Sequence, residues 1–393
     1  MQVGVIQSKL AWGINLASKI VSTKTNLPIL SNLLLTTQDD NTLQIESSNL
    51  ELSIRLKVPA KVSEPGRITI PARKFADYVS AVKEKNLELR VDKNQLTVKG
   101  ERVETSFVTM PAGDFPDLPV AEKDASFLAL KTSDFRHLTK KTVFATASRA
   151  DQPVLTGVLF DFNGAGKLVC AASDSFRLSV TEMGLATDLA RKIIVPAPAL
   201  TEVDRLISDE TNRDPENRLD ELQISFGPDQ NQIFFQVGQV EIVSRLLEAE
   251  FPDYNRLIPT EFATTGVFDR IGLLDAIRTT AIFSSREGQL IRVKFQPDAG
   301  KIQLTAQSSE VGSHADQLGG EIEGNEVELG FNSRYLIEGL GSIETSQVKL
   351  SVTDAKRPVL LEPVVESSSA GSGKKSTATY RHIIMPMDLE GRV

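Results

Sequence analysis

One cysteine, Cys170 in the apolar run Leu168-Val169-Cys170-Ala171, is all that 393 residues contain. A lone thiol excludes an intrachain disulfide framework, and its setting predicts a small core residue in a reducing compartment. Long hydrophobic runs are missing as well: none approaches the ~18–20 residues of a membrane helix. The opening Met1-Gln2-Val3-Gly4-Val5-Ile6 lacks the basic region and apolar stretch of a signal peptide. The expected location is therefore cytoplasmic, with no membrane partner.

Histidine is scarce: His137, His314 and His382 have no second ligand at metal spacing, so neither a metal nor another cofactor is expected. Gly373-Lys374 lacks the surroundings of a phosphate-binding loop, because Ser368 and Lys375 stand where glycine and Ser or Thr are needed. Gly164-Ala165-Gly166-Lys167 fails in the same way, with Asp161 and Leu168 at those places, and reads as a turn. No Gly-x-Ser-x-Gly elbow occurs, and Ser173-Asp174-Ser175 suits a hairpin turn. Asp114 and Asp117 flank Phe115-Pro116 and suit a chain-reversing linker better than acid–base work. Nothing asks for catalysis, and a nucleotide hydrolase, which would need one of the glycine–lysine stretches, is set aside.

What is present is a globular composition, 40% hydrophobic and 24% charged, over a length that suits two to four domains. The net charge of −8 argues against phosphate binding until its distribution is read. Segments 8–24 (Lys9, Lys19, Lys24), 132–149 (Arg136, Lys140, Lys141, Arg149) and 268–286 (Arg270, Arg278, Arg286) together carry about +7, leaving the remainder near −15. Such asymmetry permits a basic inner surface on an acidic body.

The same order of segments recurs three times, at an interval of about 125–140 residues. Each copy begins with an amphipathic helix: Leu10, Ile14, Ala17 and Val21; Phe135 and Leu138; Ile271, Leu274 and Ile277. A strand follows at Ile29–Leu35, Val154–Phe160 and Leu290–Phe295, then a hairpin closed by Ser47-Ser48-Asn49-Leu50, Ser173-Asp174-Ser175-Phe176 or Gln307-Ser308-Ser309-Glu310. A strand leading into a second helix comes next, at Ile68–Phe75, Ile193–Leu200 and Val327–Tyr335, and alternating strands complete each copy. The first two copies end alike, in Asp114-Phe115-Pro116-Asp117 and Glu250-Phe251-Pro252-Asp253. The pattern predicts an α+β class with two helices packed on antiparallel sheets per repeat, in domains 1–121, 122–260 and 261–393. The stretch 367–379, rich in Ser and Gly, interrupts the last hairpin and predicts a flexible insertion.

In this order and spacing, Leu27-Pro28-Ile29-Leu30-Ser31-Asn32, Ser173-Asp174-Ser175-Phe176-Arg177-Leu178, Phe251-Pro252-Asp253-Tyr254 and Ile384-Met385-Pro386-Met387 resemble the bacterial sliding clamp, the beta subunit of the replicative DNA polymerase holoenzyme. The resemblance covers essentially the whole chain. It implies three clamp domains per chain and a head-to-tail homodimer closed into a ring around double-stranded DNA, with a clamp loader, the replicative polymerase and other proteins carrying clamp-binding peptides as partners. By family position Lys24, Arg73 and Arg149 face DNA, and the basic helix adds Lys140 and Lys141. The partner-peptide pocket implied by the resemblance comprises Leu155, Ser173, Ser175, Phe176, Arg177, Leu178, Pro252, Leu257, Tyr335, Ile383, Met385, Pro386 and Met387. Pro153-Val154 stand where better known clamps carry aromatics, and neither offers a ring for stacking on single-stranded DNA. The competing reading is a peptide-binding scaffold that does not encircle DNA; the basic helix segments count against it.

Overall fold

The computed structural model describes residues 1–22, 26–121, 127–148, 151–213, 220–284, 289–365 and 379–389. Among them are six α-helices, two in each repeat: α1 (Gln7–Ser18), α2 (Ala72–Ala81), α3 (Thr132–Thr142), α4 (Ala197–Arg213), α5 (Arg270–Ala281) and α6 (Ser333–Ser342). The rest of the regular structure is antiparallel sheet, so the α+β expectation holds. None of these helices is long and apolar enough to cross a membrane.

Local chemistry starts the helices where the sequence turns from strand to helix. Pro71 and Pro196 close the strands before α2 and α4, at a junction where a missing N–H costs nothing. Asp269 caps α5 by accepting the Gly272 N–H at 2.6 Å, and Asn332 caps α6 by accepting the Arg334 N–H at 3.0 Å.

The chain forms two compact units, one of Met1–Phe135 with Pro198–Leu246, the other of Arg136–Ala197 with Leu247–Val393. The middle repeat contributes to both, and strand pairing is the reason. In the first unit, strand Leu52–Glu64 of the first repeat pairs with Val240–Arg245 of the second, from Leu56 opposite Val240 to Leu52 opposite Ser244. In the second unit, strand Arg177–Gly184 pairs with Thr379–Ile384 of the third repeat, from Arg177 opposite Ile384 to Glu182 opposite Thr379. The result is a 12-stranded sheet in the first unit, and a 9-stranded and a 4-stranded sheet in the second.

Each sheet is covered by apolar helix faces. Leu10, Ile14, Leu16 and Ala17 of α1 are buried, and Gly13 lets the helix approach so closely that a Cβ there would lie 2.8 Å from Leu56 Cδ1. In the third repeat Leu273, Leu274 and Ile277 of α5 join Ile291, Val293, Phe295, Leu304 and Phe331 in one core. Each such leucine or isoleucine contributes about 1.5–3 kcal/mol on burial. Ile271, expected on that face, is instead 57% exposed, because the buried stripe runs through Leu273, Leu274, Ala276, Ile277 and Thr280.

The strands expected from Ile29 and Val154 begin later than the sequence suggests. Pro28–Ser31 and Pro153–Thr156 are single 3₁₀ turns, and the strands start at Asn32 and Gly157. Proline opens each turn, and a hydroxyl closes it: Ser31 Oγ donates to Pro28 O at 2.6 Å, and Thr156 Oγ1 to Pro153 O at 2.7 Å. The 367–379 insertion falls almost wholly outside the described residues.

Candidate functional site

The pocket residues proposed from sequence lie in the second unit, built around the turn that joins strand Lys167–Ser173 to strand Arg177–Gly184. Ser173 Oγ donates to the Arg177 carbonyl at 2.7 Å and accepts the Ser175 N–H at 3.2 Å. Asp174 Oδ1 accepts the N–H groups of Phe176 and Arg177, each at 3.0 Å. The turn forces Ser175 to a φ of 77°, a left-handed conformation that non-glycine residues adopt at a cost. Phe176 is thereby left 55% exposed. The first repeat builds the same turn from Ser48, Asn49 and Leu50, with Leu50 at φ 75° and its N–H on Ser48 Oγ.

Arg177 turns inward and is 4% exposed. Its Nε donates to Asp174 Oδ2 at 2.9 Å, one Nη donates to Glu338, and the other donates to the Phe144 carbonyl at 2.5 Å. The guanidinium also lies 4.4 Å from the Tyr335 ring centroid and 5.3 Å from that of Phe144. A buried cation is tolerated only when paired and hydrogen-bonded in this way. Above it opens a cleft of about 570 Å³, lined in part by Gln152, Ser175, Phe176, Arg177, Arg334 and Tyr335. Ser175 Oγ donates to Gln152 Oε1 at 3.0 Å, a partner that cannot serve as a general base. Burial raises the Tyr335 phenol above its ordinary range. The cleft thus sets the Phe176 ring beside polar groups of Gln152, Ser175, Arg334 and Tyr335.

Beside the turn, Leu178 and Ile383 enter an apolar cluster with Leu159, Val180, Ile194, Tyr254 and Leu360, against which Val154, Phe251 and Ile258 pack. Leu155 is buried in the 3₁₀ turn beneath. Pro252 and Leu257 are exposed on the segment whose Phe251 and Tyr254 reach that cluster, Leu257 at 49%. Met385 is 37% exposed and donates its N–H to the Phe176 carbonyl at 2.8 Å, bringing Met385-Pro386-Met387 alongside the turn. Sequence reasoning missed Phe144, Gln152, Arg334, Glu338 and Leu360, which reach the site through strand register and helix placement and carry no local signal. His382, which has no second ligand at metal spacing in the sequence, belongs to the core beside this site. It is fully buried, stacked on Tyr380 with centroids 6.4 Å apart, and burial lowers its pKa to about 3.

Of the basic residues expected to meet DNA, Arg73 on α2 and Lys140 on α3 are exposed, with Lys140 bridged to Glu344 at 2.9 Å. Lys141 corrects the expectation. It is only 6% exposed, and its ammonium sits 5.1 Å from the Tyr380 ring centroid. Burial lowers its pKa, because desolvation disfavours the charged form. Adjacent helix residues point about 100° apart, and on α3 that offset turns Lys141 into the core while Lys140 stays exposed. Lys24 and Arg149 lie outside the described residues.

Comparison with known proteins matches residues 1–119 to the N-terminal domain of the DNA polymerase III beta subunit, 129–253 to its central domain and 255–372 to its C-terminal domain. The beta sliding clamp of Pseudomonas putida is 31% identical over 384 residues, covering 96% of each chain. That of Synechocystis is 28% identical over 405 residues, covering 98% of each. Among solved structures, the DNA polymerase III subunit beta of Pseudomonas aeruginosa superposes with a TM-score of 0.86 at 28% identity, covering 99% of this chain and 100% of that one. The Bacillus subtilis sliding clamp gives 0.88 at 23% identity, covering 99% of both, and speaks to the fold alone.

Proposed function

The chain belongs to the DNA polymerase III beta subunit family, the beta sliding clamps, and on that premise we propose that it is a DNA sliding clamp that confers processivity without catalysing a reaction. It encircles duplex DNA as a ring of two chains placed head to tail, is loaded by a clamp loader, and tethers the replicative polymerase and other proteins through the pocket around Phe176 and Met385. The observation that carries this reading is the run of three beta-subunit domains, in order, along residues 1–372. A closed ring holds DNA topologically, so individual phosphate contacts from Lys24, Arg73, Lys140 and Arg149 can stay weak and exchange rapidly.

Two of the sheet edges among the described residues support the two-chain ring. Strand Glu104–Val108 ends the 12-stranded sheet with Val108 80% exposed, and strand Gly312–Gly319 ends the 4-stranded sheet. Edges of that kind invite a strand from another chain. The pocket reading is supported by apolar residues beside a few polar groups, a combination suited to a short peptide with hydrophobic anchors. The adaptable thioethers of Met385 and Met387 suit varied partners.

The test is retention on nicked circular DNA after loading by a matching clamp loader with ATP, measured before and after the circle is linearised. Encirclement requires stable retention on circles and rapid loss from linear DNA. Retention indifferent to linearisation would replace the ring by ordinary DNA binding; no retention at all would favour a scaffold that binds peptides only.

A further inference from the structure

We propose that Arg292 and Gly330 are positioning residues for the partner pocket, pinning the segment Met385–Leu389 whose first three residues form one lip of it. The inference rests on the pocket reading above. Beyond strand Thr379–Ile384 the chain runs into Met385-Pro386-Met387, where Pro386 has no N–H to offer a sheet ladder. Hydrogen bonds at three of its residues help to hold this stretch. The Met385 N–H donates to Phe176 O at 2.8 Å, the Met387 N–H donates to Gly330 O at 2.8 Å, and an Arg292 Nη donates to Leu389 O at 2.9 Å.

The first bond belongs to the pocket itself; the other two come from the four-stranded sheet. There Arg292 stands directly opposite Gly330 in the pairing of strands Leu290–Gln296 and Val327–Asn332. Gly330 supplies room as well as a carbonyl. A Cβ at that position would lie 2.8 Å from the Met387 carbonyl oxygen, 2.8 Å from Leu290 Cδ1 and 3.4 Å from Leu389 Cδ2, so a side chain would lift the segment off the sheet. Glu328, 3.7 Å from the Arg292 guanidinium, helps to aim it.

Met385 is 37% exposed, and Pro386 and Met387 are only half-buried, so packing alone does not fix the lip. With the pins in place a peptide meets a lip already ordered. Without them, ordering five residues is charged against binding, and affinity falls although no pocket atom has changed.

The test compares wild-type protein with Arg292→Ala, Arg292→Lys and Gly330→Val. The probe is a fluorescein-labelled pentapeptide with leucine and phenylalanine anchors, followed by anisotropy. Thermal midpoint and methyl spectra of the five methionines, Met1, Met110, Met183, Met385 and Met387, are recorded alongside. Arg292→Ala is expected to bind roughly three- to tenfold more weakly, the worth of one lost hydrogen bond to a charged donor. Its midpoint should be unchanged, with only the Met385 and Met387 signals moving toward unstructured values. Arg292→Lys, which keeps a donor, should recover part of the affinity, and Gly330→Val should lose more than Arg292→Ala. Equal binding by wild type and Arg292→Ala, or unmoved Met385 and Met387 signals, overturns this inference while leaving the pocket intact. A wild-type protein that does not bind the peptide overturns the pocket reading and this inference with it.

Discussion

Truncating Arg177 to alanine is the sharpest test of how the pocket is built. The side chain is almost wholly buried and serves Asp174, Glu338 and the Phe144 carbonyl while lying against two rings. Removing one partner of a buried ion pair costs about 3–5 kcal/mol, chiefly because the carboxylates left behind are desolvated without compensation. Here the lower end applies. Glu338 keeps Arg334, whose Nε donates to it at 2.9 Å, and Asp174 keeps the N–H groups of Phe176 and residue 177 at 3.0 Å. A loss of about 3 kcal/mol lowers the melting midpoint of a unit of this size by about 6–12 °C. Differential scanning calorimetry should show that fall in the transition of the second unit, with the first unit's transition unchanged. Arg177→Lys, which keeps a charge but not the planar fork, should fall between wild type and alanine. A fall below about 2 °C in Arg177→Ala would refute the reasoning, because the guanidinium would then be dispensable to the residues it pairs.

Two further outcomes are expected. His382 has a folded pKa of about 3 against an ordinary value of 6.5, so between those limits the unfolded chain binds the extra proton. The stability due to the neutral ring is therefore complete above pH 6.5 and drains as pH falls toward 3, by up to about 1.4 kcal/mol per pH unit; denaturant titrations across that window should show a shallower slope in His382→Asn, and a His382 imidazole signal that titrates near pH 6.5 in the folded protein would contradict it. On the DNA side, Lys140→Glu should shorten retention on nicked circles, whereas Lys141→Met, changing a buried group, should leave retention as it is; equal losses from both would mean that Lys141 reaches DNA after all.

Much of the architecture was legible before any coordinates, because the repeat shows in burial periodicity and turn chemistry, both local properties. Ser48-Asn49-Leu50 and Ser173-Asp174-Ser175 build one turn twice, since Ser, Asn and Asp side chains satisfy backbone N–H groups within reach of their own chain. The late starts of the strands at Asn32 and Gly157 were hidden because Ile29-Leu30 and Val154-Leu155 are apolar in either conformation. The proline that opens each turn and the hydroxyl that closes it are the local marks of the 3₁₀ conformation.

The class, the two helices of each repeat and the hairpins could be read from the chain alone, because each depends on residues near one another along it. That the middle repeat is shared between two compact units could not be read from the chain, since sheet order is set by which strand edges meet and not by their own patterns. Nor could it be read that Lys141 is buried beside its exposed neighbour Lys140, or that Arg177 lies between rings with Glu338 beneath. A charge in a sequence carries no mark of its depth; depth follows from what distant segments bring to cover it.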